Sequence, residues 1–140
     1  GLGYDPSGPI PVTANADGWE VRNNTITMEK GGTGILYRNG VNGLVNANSV
    51  KNDSEPNDYR GIFTEASTFI GVSNNTIFQE NSAGLGTAYG VYSAGGQANT
   101  FQCNCIDNTN VGMLFFDMAD FPNAVRGNNF NTHCTGLQIG

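Results

Sequence analysis

Short runs of apolar residues alternate with polar residues along most of the chain, and glycine or asparagine bounds each run. Alternation with a period of two is typical of a half-buried β-strand, whereas an amphipathic helix needs apolar residues three and four positions apart. Helical periodicity is absent throughout the sequence. The pattern therefore predicts an all-β protein built from many short strands.

The strands fall into a repeat. An asparagine followed two positions later by an apolar residue recurs at five regularly separated places, at spacings of 24, 27, 29 and 24 residues. An apolar residue lies three positions before each asparagine, and a glycine followed by an apolar residue lies further on. The three columns are Val21, Val45, Val72, Phe101 and Val125; Asn24, Asn48, Asn75, Asn104 and Asn128; and Gly34, Gly61, Gly90, Gly112 and Gly136. Three columns in one register predict a repeat protein.

A repeat of about 26 residues with three short strands is typical of a parallel β-helix, a solenoid in which each coil rises by one strand spacing of about 4.8 Å. We predict a β-helix of about five coils over residues 19–140. Residues 1–18 contain three of the five prolines and no periodicity, so we expect an extended N-terminal cap or linker arm there.

The column of asparagines has a physical reason. Each coil must turn sharply between strands, and asparagine tolerates the left-handed backbone conformation of such turns. Its side-chain amide can also bond to the equivalent amide one coil away, which would satisfy polar groups inside the stack. We therefore predict a structural ladder of stacked amides, formed by Asn24, Asn48, Asn75, Asn104 and Asn128.

These motifs resemble a known family. Val-Arg-Asn-Asn-Thr-Ile at residues 21–26, followed by Gly34-Ile35, resembles the right-handed parallel β-helix repeats of the pectin-lyase-like superfamily, and the resemblance extends over residues from about 19 to 140. Residues 99–104 and 127–137 are similar to repeats of large secreted surface proteins of gliding and biofilm-forming bacteria, which often carry a C-terminal sorting domain. The resemblance implies a right-handed helix and an extracellular or cell-surface location.

Composition narrows the possible partners. Glycine and asparagine each occupy 20 of the 140 positions and only 13% of residues are charged, which excludes a helix bundle. Twelve acidic residues against six basic ones give a net charge of −6, without a basic cluster. We therefore expect neither nucleic acid nor an anionic membrane surface as the main partner. No apolar run reaches the length of a membrane span, so membrane insertion is not expected.

Two coils carry extra residues at the same place, residues 51–60 and 78–89. Stacking would bring the acidic side chains of these loops into one neighbourhood. They are Asp53, Glu55, Asp58 and Glu80. Calcium prefers several carboxylate oxygens in flexible geometry, so one interpretation is a weak calcium site, and the other is a solvated acidic loop. No other cofactor is expected.

Large apolar residues are predicted on an outer face. The strand after each repeat glycine alternates, which places Leu36, Phe63, Tyr92 and Leu114 in one outward column and Phe116 two residues beyond it. Aromatic faces pack against pyranose rings and against partner proteins. This column could therefore be a binding strip, or a neighbouring loop or subunit could cover it.

The sequence gives little support for catalysis. Pectin-cutting β-helix enzymes are lyases with an acidic calcium cluster and a basic residue that abstracts a proton, or hydrolases with paired aspartates beside histidine and lysine motifs. The only histidine, His133, has no such motif around it, and Arg38 or Arg60 has no second basic residue beside it to clamp a polyanion. We therefore expect no catalytic residues.

The three cysteines are Cys103, Cys105 and Cys134. Their positions in the repeat give no pair with disulfide geometry and no recognised metal-ligand spacing. We predict free thiols that fill small positions in the core.

The predicted function is a non-catalytic extracellular module with a structural or adhesive role. No capping helix follows the last strand at residues 137–139, so the module could be a segment of a larger surface protein or a subunit that associates with itself through open coil ends, as in a filament. The alternative is a carbohydrate-binding or polysaccharide-lyase-like β-helix that acts on acidic polysaccharide.

Overall fold

The computed structural model describes residues 16–53, 58–80, 87–117 and 123–140. Within these ranges every regular element is a β-strand and every strand pairing is parallel. Three sheets of five strands and one of two strands account for all of these elements.

Each coil contributes one strand to each of the three larger sheets. Sheet I contains β2 (Glu20–Arg22), β6 (Leu44–Asn46), β9 (Gly71–Ser73), β12 (Thr100–Gln102) and β15 (Ala124–Arg126). Sheet II contains β3 (Thr25–Met28), β7 (Ser49–Asn52), β10 (Thr76–Gln79), β13 (Cys105–Asp107) and β16 (Asn129–Asn131). Sheet III contains β4 (Thr33–Arg38), β8 (Tyr59–Glu65), β11 (Ala88–Ala94), β14 (Val111–Phe116) and β17 (Thr135–Ile139). The prediction of an all-β parallel β-helix is confirmed, and the first and last strands of each sheet are about four turns apart.

A fourth sheet, of only two short strands, lies near the N-terminal end of the β-helix. β1 (Ala16–Asp17) runs parallel to β5 (Gly40–Val41), and the backbone N–H of Gly18 donates to the Val41 carbonyl at 2.9 Å. Residues 16 and 17, which the sequence assigns to the N-terminal arm, thus pair with the second coil. Residues 1–15 of the predicted arm lie outside the described residues.

The strand register stacks the apolar columns as the repeat predicts. The first column is Val21, Val45, Val72, Phe101 and Val125; the second is Ile26, Val50, Ile77, Ile106 and Phe130; the third is Ile35, Ile62, Val91, Met113 and Leu137. The members in the three middle coils are fully buried. Each such side chain contributes about 1.5–3 kcal/mol relative to an exposed one, so these columns are the main source of stability.

The repeat glycines are required by close approach between coils. A Cβ on Gly61 would lie 2.4 Å from Cγ2 of Ile77 and 2.7 Å from the Gly90 carbonyl oxygen of the next coil. The same conflict recurs at Gly90, where a Cβ would lie 2.3 Å from Cγ2 of Ile106. Only glycine lets sheet III pass this close to the neighbouring side chains of sheet II.

Candidate functional site

The five predicted ladder asparagines lie in one column at the turn between sheets I and II. Each side-chain amide nitrogen donates to the side-chain oxygen of the next asparagine towards the C terminus. The four distances, from the Asn24–Asn48 pair to the Asn104–Asn128 pair, are 3.0, 3.0, 2.9 and 2.9 Å. The three middle members are buried, whereas Asn24 is exposed and Asn128 is half-buried.

Asn75 shows how completely the ladder uses its polar atoms. Its Oδ1 accepts from the backbone N–H and from Nδ2 of Asn48, both at 3.0 Å. Its Nδ2 donates to Oδ1 of Asn104 and to the Val45 carbonyl, both at 2.9 Å. A carboxamide has two donor hydrogens and two acceptor lone pairs, and all four are used. The ladder therefore carries amides through the core without leaving an unsatisfied group.

The left-handed backbone conformation does not fall on the ladder asparagines, and that part of the prediction is wrong. It falls on the residue before each of them, with φ between 54° and 61°; these residues are Asn23, Ala47, Asn74, Cys103 and Gly127. All five are exposed. The sharp bend therefore sits at a position whose side chain faces solvent, and the next residue is left free to turn its amide inward.

A second stack of asparagines, which the sequence did not predict, lies at the turn before sheet I. Oδ1 of Asn99 accepts the backbone N–H of Ile70 at 3.0 Å, and Oδ1 of Asn123 accepts that of Asn99 at 2.9 Å. Nδ2 of Asn99 donates to the Ser67 carbonyl at 3.0 Å. The available signal was an asparagine two positions before the inward residue of sheet I, but only the last two coils carry it.

A third polar pair lies inside sheet II. Nδ2 of Asn52 donates to Oε1 of Gln79 at 2.8 Å, and both side chains are fully buried. Their stacking follows from the pairing of β7 with β10. The repeat signal does not reveal it, because Met28 takes this position in the first coil.

The predicted binding strip is a real column on the outer face of sheet III. We call Leu36, Phe63, Tyr92, Leu114 and Phe116 the outer strip. The first four pair in register across β4, β8, β11 and β14. Leu36 is 36% exposed and Phe116 is 52% exposed, while Phe63 and Tyr92 are half-buried and in edge-to-face contact at 5.1 Å. Leu114, predicted to be exposed, is buried at 8%, between Tyr92 and Gln138 in the sheet register.

A cation lies on the aromatic part of this strip. The guanidinium carbon of Arg60 is 5.3 Å from the ring centroid of Phe63 and 5.1 Å from that of Tyr92. Tyr89 extends the aromatic cluster through an edge-to-face contact with Tyr92 at 5.3 Å. Arg60 forms no ion pair with any described residue, and its buried Nε has no hydrogen-bond partner there. The aromatic part of the outer strip therefore lies against a positively charged group.

Two of the four predicted calcium ligands come together, but around a lysine. The ammonium group of Lys51 lies 2.7 Å from Oδ1 of Asp53 and 3.0 Å from Oε2 of Glu80. Its hydrogen bond to Asp53 holds the pKa of that carboxyl below its ordinary value and raises the pKa of Lys51. Asp58 is exposed, and Glu55 lies outside the described residues. In the described part of the chain, no group of three or more histidine, cysteine or acidic side chains is placed to hold a metal ion.

The cysteines and the histidine are the remaining chemically reactive residues, and none of them is fully buried. Cys103 and Cys134 are exposed and Cys105 is half-buried, so the prediction of buried thiols is wrong. Cys103 is exposed because it occupies the left-handed turn position. Nδ1 of His133 lies 2.9 Å from Oγ1 of Thr109, and its Nε2 lies 3.0 Å from the Ile106 carbonyl oxygen. The imidazole thus links the last coil to the coil before it.

The described residues form no helix with the length and apolar character of a membrane span.

Comparison with known proteins assigns the family. The family model described as "right handed beta helix region" matches residues 10–139. No curated protein and no solved structure gives a significant match. The match agrees with the stacked parallel sheets and with the resemblance to pectin-lyase-like repeats, while the link to proteins with a sorting domain stays a prediction. The chain belongs to the right-handed β-helix family.

Proposed function

We propose that this chain is a non-catalytic extracellular module with a structural or adhesive role, in which the coils are the scaffold and the outer strip is the contact surface. The observation that carries the proposal is the strip itself, a column of apolar and aromatic side chains on the solvent face of sheet III. The similarity of the repeats to secreted surface proteins supports the extracellular location.

The geometry of the strip suits adhesion. Its members sit on neighbouring strands about 4.8 Å apart, so Leu36 to Leu114 spans about 14 Å. Phe63 and Tyr92 already hold each other edge to face. Ordered rings lose little conformational entropy on binding, and apolar area on a rigid face can be buried without rearrangement of the coil.

The groups on which catalysis would depend are engaged elsewhere. Lys51 forms ion pairs with the carboxylates of Asp53 and Glu80, and the His133 ring bonds to the preceding coil. The ladder amides bond to one another and to the backbone. These arrangements support a scaffold rather than an active site.

Adsorption to an alkyl-coated quartz-crystal sensor tests the adhesive role. We expect the double variant Phe63→Ser/Tyr92→Ser to reduce the bound mass severalfold, with the fold verified by circular dichroism. Phe69→Ser is the matched control, because Phe69 is 61% exposed but lies outside the strip. Equal adsorption of the double variant and the wild type would contradict the proposal.

A second candidate function is binding of acidic polysaccharide, and Arg60 is the observation that favours it. Its guanidinium lies over two aromatic rings and is not neutralised by a described carboxylate. Aromatic faces pack against sugar rings, and guanidinium binds carboxylates through paired hydrogen bonds. A polymer of uronic acids presents both features.

Affinity electrophoresis separates the two candidates. Gels containing polygalacturonate should retard the wild type, whereas gels containing a neutral glucan should not. Arg60→Gln should abolish the retardation, and Arg60→Lys, which keeps the charge but not the planar fork, should retain part of it. Equal migration in the two gels would rule out the second candidate, and unsaturated products formed with added calcium would show lyase activity instead.

A further inference from the structure

Two asparagine–glycine dipeptides, Asn39-Gly40 and Asn42-Gly43, lie at the corner between sheets III and I. The ring of Tyr37 requires both glycines, because a Cβ on Gly40 would lie 2.0 Å from Cε1 of that ring and a Cβ on Gly43 would lie 1.7 Å from its hydroxyl oxygen. Both asparagines are exposed and left-handed, each with a φ of 53°. Packing and turn geometry therefore place an exposed asparagine before a glycine twice.

An asparagine before a glycine is chemically labile. The backbone nitrogen of the glycine loses its proton and attacks Cγ of the asparagine, so that a bond forms between these two atoms, the bond from Cγ to Nδ2 breaks and ammonia leaves. Water then opens the resulting succinimide ring at either carbonyl and gives aspartate or isoaspartate. The reaction needs only water, but the glycine nitrogen must be free to reach Cγ.

The two glycine nitrogens differ in their hydrogen bonds. The N–H of Gly40 donates to Oγ of Ser67 at 3.3 Å, and the Gly40 carbonyl accepts the N–H of Thr68 at 2.9 Å. Gly40 also begins β5, which pairs with β1. The N–H of Gly43 has no acceptor among the described residues, because the equivalent residue of the next coil is Ile70, whose side chain cannot accept a hydrogen bond. Of the two nitrogens, that of Gly43 is therefore the one available for attack.

The Asn42 side chain also contacts strand β1. Its Nδ2 donates to Oδ1 of Asp17, the last residue of β1, at 2.9 Å. The next residue, Gly18, donates its backbone N–H to the Val41 carbonyl at 2.9 Å. Replacement of the Asn42 amide by a carboxylate would remove the donor and set two negative charges against each other. Both side chains are exposed, so salt would screen this repulsion.

We propose that Asn42 is a site of spontaneous deamidation and that its conversion loosens the pairing of β1 with β5. The modification needs no enzyme. Its extent rises with the age of the protein and with pH, because the attacking nitrogen must lose its proton. The outer strip takes no part in the reaction, so this inference and the adhesive role are tested separately.

Incubation of the 140-residue chain at mildly alkaline pH, followed by peptide mapping with tandem mass spectrometry, tests the site. We expect aspartate and isoaspartate to accumulate severalfold faster at Asn42 than at Asn39. In urea this difference should disappear, because both asparagines then precede an unrestrained glycine. Equal rates in the folded chain, faster reaction at Asn39, or an advantage of Asn42 that persists in urea would overturn the inference.

Hydrogen exchange of the Gly18 amide tests the loosening of β1. Asn42→Asp introduces the charge that deamidation produces, so we expect this amide to exchange severalfold faster at low salt, and the effect to shrink at high salt. Asn42→Gln is the matched control, because it changes the side chain but keeps an uncharged amide. Asp17→Asn combined with Asn42→Asp exchanges donor and acceptor and should slow exchange again. Unchanged exchange in Asn42→Asp, or no recovery in the double variant, would contradict the loosening.

Discussion

The ladder and the outer strip reverse the usual distribution of side chains. At the turn between sheets I and II, amides are buried, and on the solvent face of sheet III, aromatic and aliphatic groups reach the surface. The two regions differ in whether their side chains find partners within the protein. Every polar atom of a middle ladder residue has a hydrogen-bond partner, whereas the strip leaves apolar area exposed, and Nε of the neighbouring Arg60 has no hydrogen-bond partner among the described residues. Stability is therefore expected from the first region and binding from the second.

Breaking the ladder at its centre should give the largest loss of stability. Asn75→Leu removes the acceptor for both the backbone N–H and the amide of Asn48, and it leaves two buried donors unsatisfied. We expect the free energy of unfolding to fall by about 3 kcal/mol or more, since each such group costs about 1–3 kcal/mol. Urea denaturation measures the loss. Thr76→Leu, at the exposed neighbouring position, is the control and should change stability little.

The next largest loss of stability is expected at the glycine column, where sheets II and III approach closely. Gly61→Ala would press a methyl group against Ile77 and the Gly90 carbonyl, and such overpacking costs about 1–3 kcal/mol. Gly71→Ala is the matched control, because the nearest atom to its new Cβ is the flexible end of Leu44, 3.0 Å away. A melting temperature that falls equally in the two variants would show that the glycine column is not set by contact between coils.

A smaller change in stability, this time a gain, is expected from substitution of Tyr59. Its hydroxyl is buried without a hydrogen-bond partner among the described residues, so Tyr59→Phe should raise the free energy of unfolding by about 1 kcal/mol. Burial also raises the pKa of Tyr59 above its ordinary value of 10.0. Above that pH the unfolded chain ionises first, so the wild type should lose stability with rising pH more steeply than the variant. Urea denaturation at neutral and alkaline pH measures this loss. If the wild type and the variant lose the same free energy of unfolding between the two pH values, the assignment is wrong.

The smallest effect is expected at the exposed Lys51 cluster. The lysine lowers the pKa of Asp53, so the contribution of this carboxylate is present above its ordinary pKa and is lost as the pH falls through the lowered one. Asp53→Asn should therefore produce a slight loss of stability at neutral pH that disappears in acid. Thermal unfolding at the two pH values measures it, and a loss that persists in acid would point to packing instead of charge.

The repeat explains how much of this structure could be predicted from the sequence. The strand register, the apolar columns and the positions of the ladder residues recur in five coils, so each coil is evidence for the others. The stacks around Asn99 and Asn52 occupy positions filled by asparagine in only some coils, which weakens the signal. Position alone also could not tell which of two adjacent asparagines, 23 or 24, takes the left-handed conformation.

The candidate sites were predicted less well, because function depends on which atoms meet. The sequence correctly predicted that Asp53 and Glu80 lie close together, but it did not predict that the Lys51 ammonium lies between them. It identified the outer strip but not the burial of Leu114 or the position of Arg60 over the rings. Those details depend on side-chain directions that a repeat pattern does not specify.

Hydrogen exchange of the ladder amides tests the central claim most directly. The backbone N–H groups of Asn48, Asn75 and Asn104 each donate to the side-chain oxygen of the next ladder asparagine, whereas that of Asn128 has no acceptor among the described residues. In dilute protein we expect the first three to exchange slowly, at rates like those of the core strands, and that of Asn128 to exchange fast. Fast exchange at all four positions would contradict the ladder as the polar support of this β-helix.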